Sequence, residues 1–335
     1  MLETASRTLV MIGLMAGTTM QILDTTIANV ALPHMQASLG ASQDSISWVL
    51  TSYIVALAIA TPLTGWLADR IGARRLMICA IASFMAASML CGIAANLTQM
   101  VLFRLIQGIA GAFIGPLSQA FLLDIHKPSY HMRALSIFSV VVMVGPVIGP
   151  VMGGILTESL DWRWVFYINV PIGILCLALL IPLLPAKPKG RRMFDGLGFA
   201  MLAVAIGAFQ LALDRGEHKE WLQSAEILCE FGIALAAFWM FAVHSATNRN
   251  ALFDPRLLGD RNLVTGSLFM GMIGVVMMSS LALLPSMLQS LYGYDVIDTG
   301  LILMSRGLGS VAVISVTGWL MRRFVPRALV LVVPM

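Results

Sequence analysis

The chain has 335 residues, of which 59% are hydrophobic and only 11% are charged. Soluble proteins carry about 25% charged residues, so this composition excludes an ordinary soluble domain. The formal net charge of +4 follows from basic loops at one membrane face and does not indicate binding to nucleic acid.

Apolar runs near 20 residues recur along the chain, and this is the length that crosses about 30 Å of hydrocarbon as an α-helix. We predict ten spans and the start of an eleventh near Ala328. The spans lie at 8–32, 46–68, 76–95, 97–123, 134–157, 163–184, 196–213, 225–245, 263–289 and 298–321. The sequence therefore predicts an all-α polytopic membrane protein.

The distribution of Lys and Arg predicts the orientation of these spans. With the N-terminus inside, 16 of the 21 Lys and Arg residues fall in inner segments, and the outer loops hold only Arg163, Arg215 and Lys219. Cytoplasmic loops of membrane proteins carry such an excess of basic residues. We therefore expect a cytoplasmic N-terminus.

The loops divide the chain into three parts. Residues 1–184 are predicted to form a six-helix N-terminal bundle. Residues 185–262 contain a basic linker, an inserted two-helix hairpin and an inner loop, and residues 263–335 begin a C-terminal bundle. The segment after Ala328 gives only about 12 Å of helix at 1.5 Å per residue, so we expect the second bundle to be truncated.

Two charged residues lie at membrane depth, Asp24 in the first predicted span and Arg104 in the fourth. Such a charge costs roughly 2.5–3.5 kcal/mol on insertion scales and usually has a function. At 1.5 Å per residue, Asp24 lies about 13 Å and Arg104 about 10 Å below the outer surface, so the two side chains are expected to meet. Asp24 can exchange a proton and Arg104 cannot, which suits proton coupling. A structural ion pair is the alternative.

Other polar side chains within the spans are candidate substrate contacts. Gln21 and Asn29 lie on the first span, and Gln107 lies one turn past the arginine of the fourth. These residues line a polar cavity or hydrogen-bond between helices. Arg306 in the tenth span contacts substrate, pairs with an acid on a missing helix, or extends to the outer surface.

Glycines recur every four residues in the fifth span, at Gly145, Gly149 and Gly153. This spacing forms a groove that lets another helix approach closely. Pro146 and Pro150 remove backbone donors and are expected to bend the span. The groove is either a plain packing face or a conformational element.

Several ordered motifs resemble the major facilitator superfamily. The segment 65–75 (GWLADRIGARR) is similar to its loop signature, with Ala73 where a basic residue is usual. The segment 102–112 (LFRLIQGIAGA) resembles its fourth-helix motif, and 145–154 (GPVIGPVMGG) resembles the signature of its drug antiporters. The segments 23–33 (LDTTIANVALP) and 213–221 (LDRGEHKEW) resemble 14-span drug:proton antiporters of the EmrB/QacA type.

This resemblance implies the major facilitator fold and a proton-coupled antiporter that exports hydrophobic or amphipathic drugs across the cytoplasmic (inner) membrane of a bacterium. It implies small molecules, protons and the lipid bilayer as partners, together with a periplasmic adaptor and an outer-membrane channel if the cell has an outer membrane. It assigns proton coupling to Asp24 and Arg104. It assigns gating or conformational roles to Gly65, Asp69, Arg70, Gly72, Arg74, Gly145, Gly149, Pro150, Gly153 and Gly154.

The sequence holds no phosphate-binding loop of ATPases, no metal-binding motif and no nucleophile elbow. We therefore predict a transporter without enzymatic activity and without a cofactor, powered by the proton gradient. Two other interpretations stay open. The same fold exports a specific metabolite, lipid or siderophore, or the chain is a non-functional membrane fragment of such a transporter.

Overall fold

The computed structural model describes residues 4–185, 190, 193–217, 219–248, 251–252, 259–294, 298–299, 302, 305 and 309. Regular structure in these ranges is helical, and no strand occurs within them. Arg306, most of the tenth predicted span and the beginning of the eleventh lie outside the described residues.

Each of the six spans predicted for residues 1–184 coincides with helical structure. Two of the six are divided into two helices, and a short helix, α2, lies between the first and second. In chain order the helices are α1 (Thr4–Leu39), α2 (Gln43–Ile46), α3 (Trp48–Ala60), α4 (Thr64–Ile71), α5 (Ala73–Gly92), α6 (Leu97–Ile125), α7 (His131–Ser159), α8 (Trp164–Tyr167) and α9 (Asn169–Leu183).

The first helix ends later than its proline suggests. We predicted an end at residue 32, before Pro33, but α1 continues through Pro33 to Leu39. Membrane helices tolerate an internal proline because neighbouring helices satisfy the freed backbone groups. The helix ends instead at Gly40, whose φ of +61° is the left-handed conformation typical of a glycine that terminates a helix.

The second crossing is interrupted and then turns sharply at its basic end. A short 3₁₀ turn, Thr61–Leu63, contains Pro62 and separates α3 from α4. Gly72 follows α4 with φ +95° and ψ +130°, a conformation that residues with a side chain rarely adopt. This geometry explains the second glycine of the GWLADRIGARR motif, since α5 starts at the next residue.

Two additional helices, α10 (Gly196–Arg215) and α11 (Ala225–Thr247), pack against each other as a hairpin, and α10 also contacts α3. At the hairpin turn, Arg215 pairs with Glu226 at 2.5 Å, and Lys219 pairs with the same carboxylate at 3.2 Å. The next helix, α12 (Arg261–Ser290), matches the ninth predicted span.

The opposite end of the hairpin is held by Asp195, which precedes α10. Its carboxylate accepts hydrogen bonds from Gly198 N at 2.9 Å, from His244 Nε2 of α11 at 2.8 Å, and from Leu252 N at 3.1 Å. Burial by itself raises the pKa of Asp195, but these bonds outweigh it and lower the pKa below its ordinary value of 3.8. Asp195 therefore joins the linker, α11 and the following loop.

Seven helices within the described ranges are long and apolar enough to cross a membrane. They are Ala5–Leu39, Trp48–Ile71, Ala73–Gly92, Leu97–Ile125, Trp164–Leu183, Gly196–Arg215 and Ala225–Thr247. An α-helix of about 20 residues is long enough to cross the roughly 30 Å of bilayer hydrocarbon. The protein is a multi-pass membrane protein.

Candidate functional site

The two intramembrane charges meet in the centre of the N-terminal bundle. Asp24 of α1 and Arg104 of α6 form an ion pair in which Nη1 of Arg104 donates to Oδ2 of Asp24 at 2.5 Å. Both side chains have an exposed fraction of 0%. The similar depths expected from the sequence therefore correspond to direct contact in the structure.

The second oxygen of the Asp24 carboxylate is held by two amides. Gln107 Nε2 of α6 donates to Oδ1 at 2.8 Å, and Asn169 Nδ2 of α9 donates to the same oxygen at 2.7 Å. Asn169 Nδ2 also lies 2.9 Å from the Ser88 hydroxyl of α5, which donates to the carbonyl of Phe166 at 2.8 Å. The carboxylate of α1 thus binds side chains of α6 and α9, and Asn169 connects it to Ser88 of α5. We call Asp24, Ser88, Arg104, Gln107 and Asn169 the Asp24 network.

Arg104 has further partners that do not involve the carboxylate. Its Nε donates to the carbonyl of Val49 at 3.0 Å, and Nη1 also lies 2.8 Å from Gln107 Oε1. Its guanidinium carbon lies 4.2 Å from the ring centroid of Tyr53 and 5.7 Å from that of Phe166. Arginine above an aromatic ring is stabilised electrostatically, and more strongly when water is excluded. These contacts hold the cation in place even when its anion changes.

Two apolar layers enclose the Asp24 network. On α1, one layer includes Leu14 and Met20, which precede Asp24, and the other includes Ile27 and Ala31, which follow it. Each layer also takes in buried side chains from α5 and α6. The first adds Cys176 and Leu180 of α9, and the second adds residues of the segment before α9, including Trp162 and Phe166. The carboxylate is therefore closed off from both membrane faces in this conformation. A change in its protonation requires a conformational change that admits water.

This arrangement links protonation to helix packing. A buried charge is costly unless it is paired and hydrogen-bonded, and Asp24 meets both conditions here. Protonation removes the attraction to Arg104 and turns one acceptor oxygen into a donor. Because the partners of Asp24 belong to α6 and α9, and Asn169 in turn binds Ser88 of α5, its protonation state affects a chain of contacts that reaches four helices.

The glycine groove of α7 receives α1, the helix that carries Asp24. A Cβ added to Gly149 would lie 2.1 Å from Thr26 Oγ1, and one added to Gly145 would lie 2.8 Å from Ile22. At Gly153, an added Cβ would lie 3.2 Å from the carbonyl of Ile27. The absence of side chains therefore permits the close contact between the two helices.

The α7 helix runs from His131 to Ser159 through Pro146 and Pro150. The buried Gly154 follows the last glycine of the groove. The bend that the two prolines were expected to produce stays a prediction.

Two other candidate substrate residues, Gln21 and Asn29, lie on the same helix as Asp24. The amide oxygen of Gln21 faces α6, 3.7 Å from where a Cβ on Gly115 would lie. Asn29 is exposed on α1. Among the predicted polar candidates that the structure describes, Gln107 is the one that hydrogen-bonds to Asp24.

The motif around Asp69 lies at the basic end of the bundle, separate from the Asp24 network. Asp69 is exposed beside the linker, 3.2 Å from where a Cβ on Gly190 would lie. Arg70 stacks over the Trp66 ring at 5.6 Å, and Arg74 donates to the carbonyl of Ile181 at 2.6 Å. The space beside Gly65 is open, with no atom within 4 Å of an added Cβ. The gating roles of these residues stay predictions.

Sequence reasoning missed two members of the network, Asn169 and Ser88. Each is an isolated polar residue in an otherwise apolar span. Neither stands in a motif, so the available signal was only that a polar side chain at this depth needs an interhelical partner. Because Asn169 and Asp24 are 145 residues apart in the chain, the sequence alone does not show that they are partners.

The helical bundle, its membrane-length spans and its fully buried ion pair define a polytopic membrane protein. A family model described as Major Facilitator Superfamily matches residues 14–334. The chain therefore belongs to the major facilitator superfamily.

The relatives include proteins named for multidrug export and for fatty acid resistance. The chain is 38% identical over 302 residues to the multidrug export protein EmrB of Escherichia coli strain K12, covering 90% of this chain and 59% of that protein. It is 41% identical over 285 residues to the fatty acid resistance protein FarB of Neisseria gonorrhoeae, covering 84% of this chain and 56% of that protein. The chain thus spans less than two thirds of the length of these relatives.

Solved structures show the same fold at low sequence identity. A proton:xylose symporter, XylE, gives a TM-score of 0.62 at 15% identity, covering 96% of this chain and 70% of that one. A peptide transporter of the POT family gives 0.65 at 15% identity, covering 95% and 69%. These likenesses extend the family assignment to the three-dimensional architecture.

Proposed function

We propose that the protein is a proton-coupled antiporter that exports hydrophobic and amphipathic compounds across the bacterial cytoplasmic membrane, with its N-terminus in the cytoplasm. The observation that carries this proposal is the fully buried Asp24–Arg104 pair, joined by amides from two helices. The names of the relatives, which include multidrug export proteins, support export as the direction of transport.

In the proposed cycle, Asp24 takes up a proton when the bundle is open to the outside and releases it when the bundle is open to the cytoplasm. The conformation described here, with the pair formed and apolar layers on both sides, is an unprotonated and sealed arrangement. Loss of the proton re-forms the bond to Arg104. Because α1 also lies in the glycine groove of α7, re-forming this bond draws α1 toward α6 against a fixed packing surface.

The proposed partners follow from the proposed function as a proton-coupled exporter. Small molecules and protons are the transported species, and the bilayer surrounds the spans. The likeness to EmrB supports a periplasmic adaptor and an outer-membrane channel as further partners. Copurification of the chain with candidate adaptors from its own cell tests this part separately from transport.

The test is proton movement driven by substrate in everted membrane vesicles that contain the protein. Addition of an exported compound to energised vesicles is expected to release protons from the lumen. Asp24→Asn is expected to insert normally and to abolish this release. Asp161→Asn is the matched control, because Asp161 forms an exposed ion pair with Arg163 at 3.5 Å, and this variant is expected to keep the activity. Normal proton-driven export by Asp24→Asn would refute the proposed coupling.

Export of fatty acids is a second candidate function, favoured by the 41% identity to the fatty acid resistance protein FarB. The two candidates share the fold and the proton-coupling site, and they differ only in the compound carried. Long-chain fatty acids and lipophilic cationic dyes, assayed in the same vesicles, separate them. Proton release by the fatty acids alone would replace drug export with this narrower function.

A further inference from the structure

A cavity of about 570 Å³ lies where the beginning of α1 meets the connection between α6 and α7. It is separate from the Asp24 network, and its volume falls within the range of about 300–1,000 Å³ found for small-molecule sites. The residues that line it are Arg7, Thr8, Met11, His126, Lys127, Tyr130, Arg133, Ala134 and Ile137.

The charged part of this lining is basic. Arg7, Lys127 and Arg133 contribute three positive charges, and no Asp or Glu is among the described residues that line the cavity. Asp124, exposed near the end of α6, is the acidic residue closest in sequence. With its charge included, the region still carries a net charge of +2, from three positive charges and one negative. The cavity therefore attracts an anion.

The other part of the lining is apolar and continues onto the lipid-facing surface. Met11, Ala134 and Ile137 line the cavity, and Met11 and Ala134 pack into a small apolar cluster with Phe138. Exposed apolar side chains extend from there along both helices: Leu9, Ile12, Met132 and Ile137. A ligand that carries both a negative group and hydrocarbon chains matches this surface better than a small soluble anion does.

The position of the cavity in the membrane agrees with that chemistry. It lies at the end of the bundle where α1 begins and α6 ends, which is also the end that carries Arg70, Arg74 and Arg75. Basic pockets between transmembrane helices on this side of a membrane are suited to phosphate headgroups. An occupant would also contact both α1 and α7, the two helices joined through the glycine groove.

We propose that this cavity binds the phosphate group of an anionic phospholipid of the inner leaflet, whose acyl chains lie along α1 and α7. The bound lipid ties the start of α1 to the α6–α7 connection. The site is independent of the exported compound, and its occupancy is measurable without any transport.

The test is native mass spectrometry of the full chain in detergent, titrated with palmitoyl-oleoyl phosphatidylglycerol, with palmitoyl-oleoyl phosphatidylcholine and with inorganic phosphate. Each basic residue near a membrane surface contributes about a fivefold change in affinity for an anionic lipid. Arg133→Gln and Lys127→Gln are each expected to weaken binding of phosphatidylglycerol about fivefold. The triple variant with Arg7→Gln is expected to weaken it on the order of a hundredfold.

Arg75→Gln is the matched control, because Arg75 is an exposed arginine at the same end of the bundle outside the cavity. It is expected to change the affinity less than twofold. Equal binding of phosphatidylcholine, or equal weakening by Arg75→Gln and Arg133→Gln, would overturn the proposal. Displacement of phosphatidylglycerol by millimolar inorganic phosphate would also overturn it, since the site would then take a water-soluble anion. The single variants keep the test decisive if the triple variant does not fold.

Discussion

The buried pair of Asp24 and Arg104 predicts a large coupling free energy, measurable with a double-mutant cycle. The cycle consists of Asp24→Asn, Arg104→Gln and the variant with both substitutions. Each single substitution leaves one charge without its counter-ion at a position with no solvent exposure. Removing one partner of a buried ion pair costs about 3–5 kcal/mol, so two independent losses would total about 6–10 kcal/mol.

The double variant is expected to lose much less than this total. It carries no buried charge, and two neutral side chains remain that can hydrogen-bond with Gln107, Asn169 and the carbonyl of Val49, which already surround the pair. A loss of no more than about 5 kcal/mol gives a coupling free energy of at least about 1 kcal/mol, within the range of about 0.5–3 kcal/mol found for groups in one network.

Reversible unfolding of the purified variants in mixed micelles, followed by circular dichroism, measures these free energies. The exposed pair Asp161–Arg163 is the matched control, with a coupling below about 1 kcal/mol. If the losses of stability from Asp24→Asn and Arg104→Gln simply added in the double variant, the inference that the two side chains stabilise each other would be refuted. A transport assay distinguishes a role in proton coupling from a purely structural role. We expect the double variant to be folded but unable to export substrate with the proton gradient. Export driven by protons in that variant would leave the pair a purely structural role.

Two other predictions concern helix contact and acid stability. Gly149→Ala places a Cβ 2.1 Å from Thr26 Oγ1 and is expected to lower the free energy of unfolding by about 1–3 kcal/mol. Gly232→Ala is the control, because no atom lies within 4 Å of its added Cβ, and it is expected to be neutral or stabilising in the same unfolding measurement. Asp195 has a lowered pKa in the folded protein, so its stabilisation is present above its ordinary value of 3.8 and is lost as the pH falls through the lowered folded value. Asp195→Asn is therefore expected to reduce stability at pH 7 and to flatten its decline between about pH 5 and pH 2; an unchanged slope would contradict the assignment.

Much of the fold was predictable because the bilayer imposes simple requirements. A chain that crosses hydrocarbon must satisfy its backbone groups internally, so span-length apolar runs become helices. The nine predicted spans between residues 8 and 289 each coincide with helical structure. The depth of Asp24 and Arg104 followed from the same reasoning, because the helical rise converts sequence position into distance from the surface.

The ends of helices and the hydrogen-bond partners of polar side chains were harder to predict from the sequence. Pro33 suggested the end of the first helix, yet α1 continues to Leu39. A proline is tolerated inside a membrane helix where neighbouring groups satisfy the backbone carbonyl that it leaves without a donor. Asn29 and Asn169 are similar amides in apolar spans, but Asn29 is exposed and Asn169 binds Asp24. Local pattern does not distinguish them, since the difference lies in which face of each helix meets another helix.

The sequence by itself determined that this is a membrane protein of many helices, with one acid and one arginine at matching depth in its first bundle. Hydropathy, helical rise and charge distribution act locally along the chain, and so they can be read from it directly. Only the tertiary structure decided that Asn169 and Ser88 complete the Asp24 network, and that basic residues from α1, the α6–α7 connection and α7 surround one cavity. Both outcomes depend on the rotation and spacing of helices far apart in sequence, which side-chain packing in the folded bundle fixes.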